Sequence, residues 1–231
     1  MCYIRWCYAR LISIHEPQFG SLQLISETDL IYKLPLTFTM SFFFEFVRNQ
    51  YTSLPYPTQS FIGQTIIVTG SNTGIGFEAA QHLVRLNAAK VILAVRSISK
   101  GEEAARAIAE TTGRSDVCEV WELDMASYSS IQQFAKRAEG LERVDVALLN
   151  ASISKSTFEE LNGTESSIAV NVYGTFLLVL NLLPALRKSG KVIGQPSRLT
   201  IVTSDAHFFV SLITYSLLKV ALGCSLLMNW S

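Results

Sequence analysis

No stretch constrains this chain more than "QTIIVTGSNTGIGFEAAQHLVRLNA". Thr65 to Thr69 form a short β-branched run, which predicts a buried parallel strand. The chain then turns through Gly70, Gly74 and Gly76 straight into a segment with apolar residues at Ile75, Ala79, Leu83 and Leu86, which is helical spacing. Strand, glycine turn and helix in that order are the context of a phosphate cradle, the other reading of the glycines being a simple tight turn. Residues without Cβ let the backbone approach a pyrophosphate, and the amides and dipole at the helix N-terminus favour its charge.

Beyond this unit the pattern keeps alternating. "KVILAV" reads as a strand, "SKGEEAARAIAETTG" as a helix closed by Gly113, and "CEVWELD" as a strand. "SYSSIQQFAKRAEG" is helical, "VDVALLNA" is a buried strand, and a long apolar helix through "SSIAVNVYGTFLLVLNLLPALRKSG" leads to the strand "RLTIVTS". Repeated β-α units of this kind build a parallel sheet with helices on both faces, a doubly wound α/β fold of the Rossmann type. The domain is expected over residues 61–231, behind a lead-in at 40–60 and an N-terminal extension at 1–39 that lacks sustained periodicity. Met40 is the expected natural start.

Several classes are disfavoured by composition. Lys plus Arg number 19 against 19 Asp plus Glu, so no overall field draws nucleic acid, which is not an expected partner. Cys2, Cys7, Cys118 and Cys224 form no C-x-x-C pair and suggest neither a disulfide framework nor a metal site. His15, His82 and His207 lie far apart with no second ligand at helical spacing, so no metal is expected. The first residues lack the apolar run and cleavage site of a secretory signal, and a cytoplasmic setting is expected. On that view the sequons at Asn162 and Asn229 are idle.

Taken together, the motifs resemble the short-chain dehydrogenase/reductase family, most closely its fungal and retinol-dehydrogenase-like members. "TGSNTGIG" is similar to the family's T-G-x-x-x-G-x-G signature, "LDM" to its acidic motif after the third strand, and "NAS" to its N-A-G after the fourth. "VNVYG" carries Asn171 at the catalytic-asparagine position, and "IVTSDAH" carries Ser204 at that of the catalytic serine. The resemblance spans roughly 61 to 208. It implies that Gly70, Asn72, Thr73, Gly74, Ile75 and Gly76 hold a dinucleotide, with Asp124 at the adenine and Asn150 and Ala151 beside the central ribose. Asp124 has a compatible second reading as a helix N-cap. Ser152 stands where the family keeps glycine, which puts close approach of the cofactor there in question.

About twenty residues beyond Gly76, where an NAD site presents a carboxylate to the ribose, stands Arg96. A guanidinium takes a 2′-phosphate through two charge-assisted hydrogen bonds, so NADP(H) is the expected cofactor. The other reading of Arg96 is a solvated residue at a strand end.

The resemblance implies hydride transfer between that cofactor and a small or lipophilic carbonyl or alcohol, and by analogy a place in secondary metabolism. Tyr215 and Lys219 stand at i, i+4, which puts them on one helix face, and an ammonium beside a phenol lowers its pKa. In the family's chemistry Tyr215 would move the proton and Lys219 would tune it and contact the cofactor. Ser204 would bind the substrate oxygen, and Asn171 would hold a water. Three departures stand against this: a short interval between Ser204 and Tyr215, no small residue before Lys219, and an expected end of the fold after the fifth strand. The alternative is therefore a truncated dinucleotide-binding protein without turnover. A homodimer is compatible with either. Residues 208–230 carry one charge and are long enough for a membrane span, or else for a helix buried in the protein.

Overall fold

The computed structural model describes residues 55–203 together with Phe44, Val47, Arg48, Tyr51 and Thr52. Contacts divide the chain between Thr58 and Gln59, and every strand of the sheet belongs to the second unit. That unit opens with β1 (Thr65–Thr69), α1 (Gly74–Arg85), β2 (Lys90–Val95), α2 (Ile98–Thr112), β3 (Cys118–Glu122), α3 (Tyr128–Glu139) and β4 (Val146–Leu149). A small hairpin follows, β5 (Glu160–Leu161) and β6 (Thr164–Glu165). Then come the single turn α4 (Ser166–Ile168), a π-helix at Ala169–Gly174, α5 (Thr175–Ile193) and β7 (Arg198–Ile201).

The five main strands stand in the order β3-β2-β1-β4-β7, all parallel. This is the doubly wound sheet that the alternating pattern predicts. All five residues of β1 are buried, since β1 lies in the middle of the sheet beneath two helical layers. Side chains alternate between the layers. Ile66, Val68, Val91 and Leu93 pack with Ala80 and Val84 of α1 and Ala104 and Ile108 of α2. Ile67, Ile92 and Ala147 face the opposite way, onto Ile131 and Phe134 of α3 and Leu178 and Leu182 of α5. Burial of each such Ile or Leu contributes roughly 1.5–3 kcal/mol, which is what fixes the register of strand against helix.

Three features depart from the sequence reading. β3 ends at Glu122 instead of running through Asp124, because the Asp124 backbone turns there. The long apolar helix is not α-helical throughout, since the backbone widens into the π-helix over Ala169–Gly174 before α5 begins. The hairpin β5–β6 is an element that the alternating pattern does not announce. Ser166–Ile193 is long and apolar enough to cross a membrane, yet Leu178, Leu182 and Leu186 of this stretch are buried in the core. Residues 1–39 and 208–230, and with them the proposed extension and span, lie outside the described residues.

Candidate functional site

The chain runs from β1 outward to β2 and β3 and then returns to β4 on the far side of β1. At this reversal the C-terminal ends of β1 and β4 bound the crevice in which open α/β sheets bind ligands. Gly70 follows β1 directly, and Asn150 follows β4.

The two strand ends are locked together by hydrogen bonds. Thr69 Oγ1 accepts from the backbone N–H of Asn150 at 3.0 Å and from that of Ala151 at 2.9 Å. The Asn150 side-chain Nδ2 donates back to the carbonyls of Thr69 (3.2 Å) and Gly70 (3.3 Å). With its amide hydrogens directed at the turn, Asn150 serves first as the strut of the glycine loop. Gly70 has φ +65°, and a Cβ there would stand 2.9 Å from Ala151 Cα. A Cβ on Gly76 would overlap the Gly70 carbonyl oxygen and lie 2.5 Å from Asn150 Nδ2. Glycine is required at both positions by contact, and at Gly70 by backbone angle as well. Ser152 is exposed, so its side chain leaves the contact between Gly70 and Ala151 undisturbed.

The turn residues Asn72, Thr73, Gly74 and Ile75 are all at least partly accessible, and Thr73 and Gly74 are exposed. Thr73 occupies the N-cap position of α1, but its side chain makes no cap hydrogen bond, and the first turn of α1 holds no acidic residue. The first amides of α1 therefore keep their hydrogen-bonding capacity and the positive end of the dipole. Ser71 lies inside the turn with its side chain fully buried, and its Oγ has no partner. A buried hydroxyl left unpaired costs about 1–3 kcal/mol, a burden that such turns carry where they are shaped for a ligand. An uncapped helix start, a backbone that excludes Cβ and this orphaned hydroxyl together fit a dinucleotide pyrophosphate.

Arg96 is exposed one residue beyond β2, with no hydrogen bond or ion pair among the described residues. The next residue, Ser97, stands at the N-cap of α2, where its hydroxyl pairs with Ser99 Oγ at 3.0 Å and caps no amide. The first turn of α2 also holds no acid, and Lys100 in it is exposed. Two cations thus flank a second uncapped helix start.

The far wall is the loop Asp124–Ser127. Here the N-cap reading of Asp124 is corrected: Ser127 caps α3 by accepting from Ser130 N at 3.3 Å. Asp124 instead shapes the loop itself. Its Oδ1 accepts from Ala126 N (3.0 Å), its carbonyl accepts from Ser127 N (3.1 Å), and its N–H donates to Ser130 Oγ (3.0 Å).

Asn171 sits in the π-helix with both ends of its amide engaged. Its Oδ1 accepts from Ile153 N at 2.9 Å, and its Nδ2 donates to Ile153 O at 2.8 Å. The side chain is a clamp on the segment that leaves β4. The π-helix carries Asn171 against that segment and brings Gly174 close to the far wall. A Cβ on Gly174 would overlap the Met125 carbonyl oxygen. Ser204, Tyr215 and Lys219 lie outside the described residues.

Thr69, Ser71, Ile153 and Gly174 belong to this constellation without being marked by any motif, and Asn162, whose Nδ2 donates to the Ala126 carbonyl, is marked only as a sequon. The Asn162–Gly163 pair, a hairpin signal, was legible. Nothing local marks the others as partners across the fold.

The family model for short chain dehydrogenases matches residues 64–208. The chain belongs to this family. Among curated members, the short-chain dehydrogenase anuD of Penicillium roqueforti is 52% identical over 159 residues, covering 68% of this chain and 41% of that protein. The short chain dehydrogenase FGM9 of Gibberella zeae is 44% identical over 166 residues, covering 71% of this chain and 49% of that protein. The chain thus spans about half the length of these curated relatives or less. Among solved structures, an Escherichia coli CFT073 protein complexed with NADPH is 29% identical with a TM-score of 0.54, covering 71% of this chain and 73% of that one. Short chain dehydrogenases are oxidoreductases acting on small molecules, and the crevice described above is where this chain carries the glycine turn of the family.

Proposed function

We propose that this chain is an NADP(H)-dependent oxidoreductase that moves a hydride to or from the carbonyl or alcohol carbon of a small or lipophilic substrate. The observation that carries the proposal is the glycine turn, strutted by Asn150 and walled by Ala151, opening onto the uncapped start of α1. Gly70, Asn72, Thr73, Gly74, Ile75 and Gly76 would receive the pyrophosphate with their backbone, while Asp124, Asn150 and Ala151 would flank the adenosine and the ribose. Bound NADP(H) supplies or takes up the hydride.

Preference for the phosphorylated cofactor is argued from charge. Arg96 and Lys100 are exposed beside an uncapped helix start that holds no acidic residue in its first turn. A 2′-phosphate is matched there by two cations and by a first helical turn without a carboxylate, ahead of Glu102 and Glu103. The NADPH complex of the Escherichia coli relative supports the same choice. Asn171 would shape the substrate side of the crevice by holding Ile153. Ser204 would bind the substrate oxygen, with Tyr215 moving the proton and Lys219 lowering the tyrosine pKa. A role in secondary metabolism belongs to the same proposal and rests on the fungal relatives.

The test has two arms on the full chain. Replacing Arg96 with alanine is expected to weaken NADPH binding about 10- to 100-fold and to leave NADH binding unchanged, since charge-assisted contacts are worth that much. NADPH affinity that survives the replacement removes Arg96 from the role. Tyr215→Phe is expected to abolish NADPH oxidation over a carbonyl panel while binding persists. Turnover that survives the replacement clears Tyr215 of the proton step. A wild-type protein that binds NADPH but turns over nothing points to the second reading, binding without chemistry.

A further inference from the structure

The hairpin β5–β6 hydrogen-bonds to the far wall of the crevice through one side chain, beside the packing of Leu161 on the core cluster that includes Met125. Glu160 pairs with Glu165 and Leu161 with Thr164, which leaves Asn162 and Gly163 as a two-residue turn with φ of +53° and +78°. Positive φ at both central residues is the type I′ geometry, for which Asn-Gly is the favoured pair. Asn162 is exposed, and apart from making the turn it has no reason to touch the body of the protein. Yet its Nδ2 donates to the Ala126 carbonyl at 3.0 Å, thirty-six residues away in sequence.

Ala126 is the middle of the Asp124–Ser127 loop, and its own N–H donates to Asp124 Oδ1. One residue is therefore held at both ends, by Asp124 from within the loop and by Asn162 from the hairpin. The hairpin is anchored in turn, because Ser166 N donates to the Glu159 carbonyl at 2.8 Å and Glu165 accepts from Ile168 N at 3.0 Å. The start of α4 thus reaches the loop by hydrogen bonding through the Asn162 amide.

We infer that Asn162 is a positioning residue for the adenosine half of the cofactor: its amide latches the hairpin to Ala126 and so holds the Asp124 loop in shape for binding. The inference rests on the dinucleotide-binding reading above and adds to it a residue with no direct contact to ligand. Asn162 does two separable jobs, since its backbone makes the turn and its side chain makes the latch. Glycine and aspartate both tolerate a left-handed turn position, so a residue needed only for the turn should accept either. A latch accepts neither. Glycine deletes the donor, and aspartate sets a carboxylate against the Ala126 carbonyl.

The experiment uses the full chain as wild type, Asn162→Gly and Asn162→Asp. Two quantities are measured: amide hydrogen exchange of residues 124–127 without ligand, and the affinities for NADPH and for adenosine 2′,5′-bisphosphate. The latch predicts faster exchange of the loop in both variants. It also predicts about 2- to 10-fold weaker binding of both ligands by the same factor, with aspartate the worse, since one hydrogen bond is worth that much. Variants that bind like wild type, or a loop whose exchange does not change, overturn the latch and leave the dinucleotide reading standing. A folded wild type that takes up neither ligand overturns that reading and the latch's purpose with it, whatever the loop exchange shows.

Discussion

The crevice has two walls that are held in opposite ways. The glycine turn is secured from within the sheet: Thr69 Oγ1 bonds two backbone amides and Asn150 two carbonyls, all between residues at the ends of adjacent strands. The Asp124–Ser127 loop lies at the end of the edge strand β3 and borrows its support. Gly174 of the π-helix lies close against the Met125 carbonyl, and Asn162 of the hairpin holds Ala126. A wall built from strand ends inherits the rigidity of the sheet. A wall at the edge must be braced by elements that arrive later in the chain.

Substitutions in the first wall should therefore cost stability and binding together, and those in the second chiefly binding. The largest effect is expected at Gly76, where a Cβ has no space against the Gly70 carbonyl and Asn150 Nδ2. Gly76→Ala is expected to destabilise the fold by about 2–4 kcal/mol in urea denaturation and to abolish dinucleotide binding. Thr69→Val comes next: two half-buried amides lose their acceptor, for about 1–3 kcal/mol, again with loss of binding. A Thr69→Val protein as stable as wild type would erase the contrast between the walls.

Gly174→Ala sharpens it from the other side. The new methyl displaces the Met125 carbonyl, and the loop can yield where the strand ends cannot. About 1–2 kcal/mol of stability should be lost, while adenosine 2′,5′-bisphosphate affinity falls more than in proportion. The smallest effect is expected on the edge strand itself. Burial pushes the Cys118 thiol from 9.0 up to about 11, against the nearby Arg114, which pulls it down. The folded state thus holds this proton more tightly than the unfolded chain does. The group's contribution is complete below pH 9 and is lost as pH rises toward 11. Urea midpoints measured on either side of that window should drop more for wild type than for Cys118→Ala. Equal drops would show that the thiol is not shielded.

The same division explains what could be read from the residues in advance. The five strands of the parallel sheet, α1 and α2, and the glycine turn were legible because each is encoded locally, by β-branched runs, helical spacing and three glycines within seven residues. The end of α2 at Gly113 was legible for the same reason. The second wall was not, because it is made by pairs far apart in sequence, such as Asn162 with Ala126 and Asn171 with Ile153. Asp124 illustrates the limit. An aspartate just ahead of a helix looks like its cap, but Ser127, three residues closer to α3, takes that position and frees Asp124 to shape the loop. The π-helix was illegible too, since "AVNVYGTF" has ordinary helical periodicity. The contacts that accompany it, Asn171 with Ile153 and Gly174 with Met125, join residues far apart in sequence.

Calorimetric titration of the folded, monodisperse full chain with NADPH and with NADH is the most direct test of the whole account. One saturable site with tighter uptake of NADPH is the expected result. Heat that never saturates for either coenzyme, from protein shown to be folded, would contradict it.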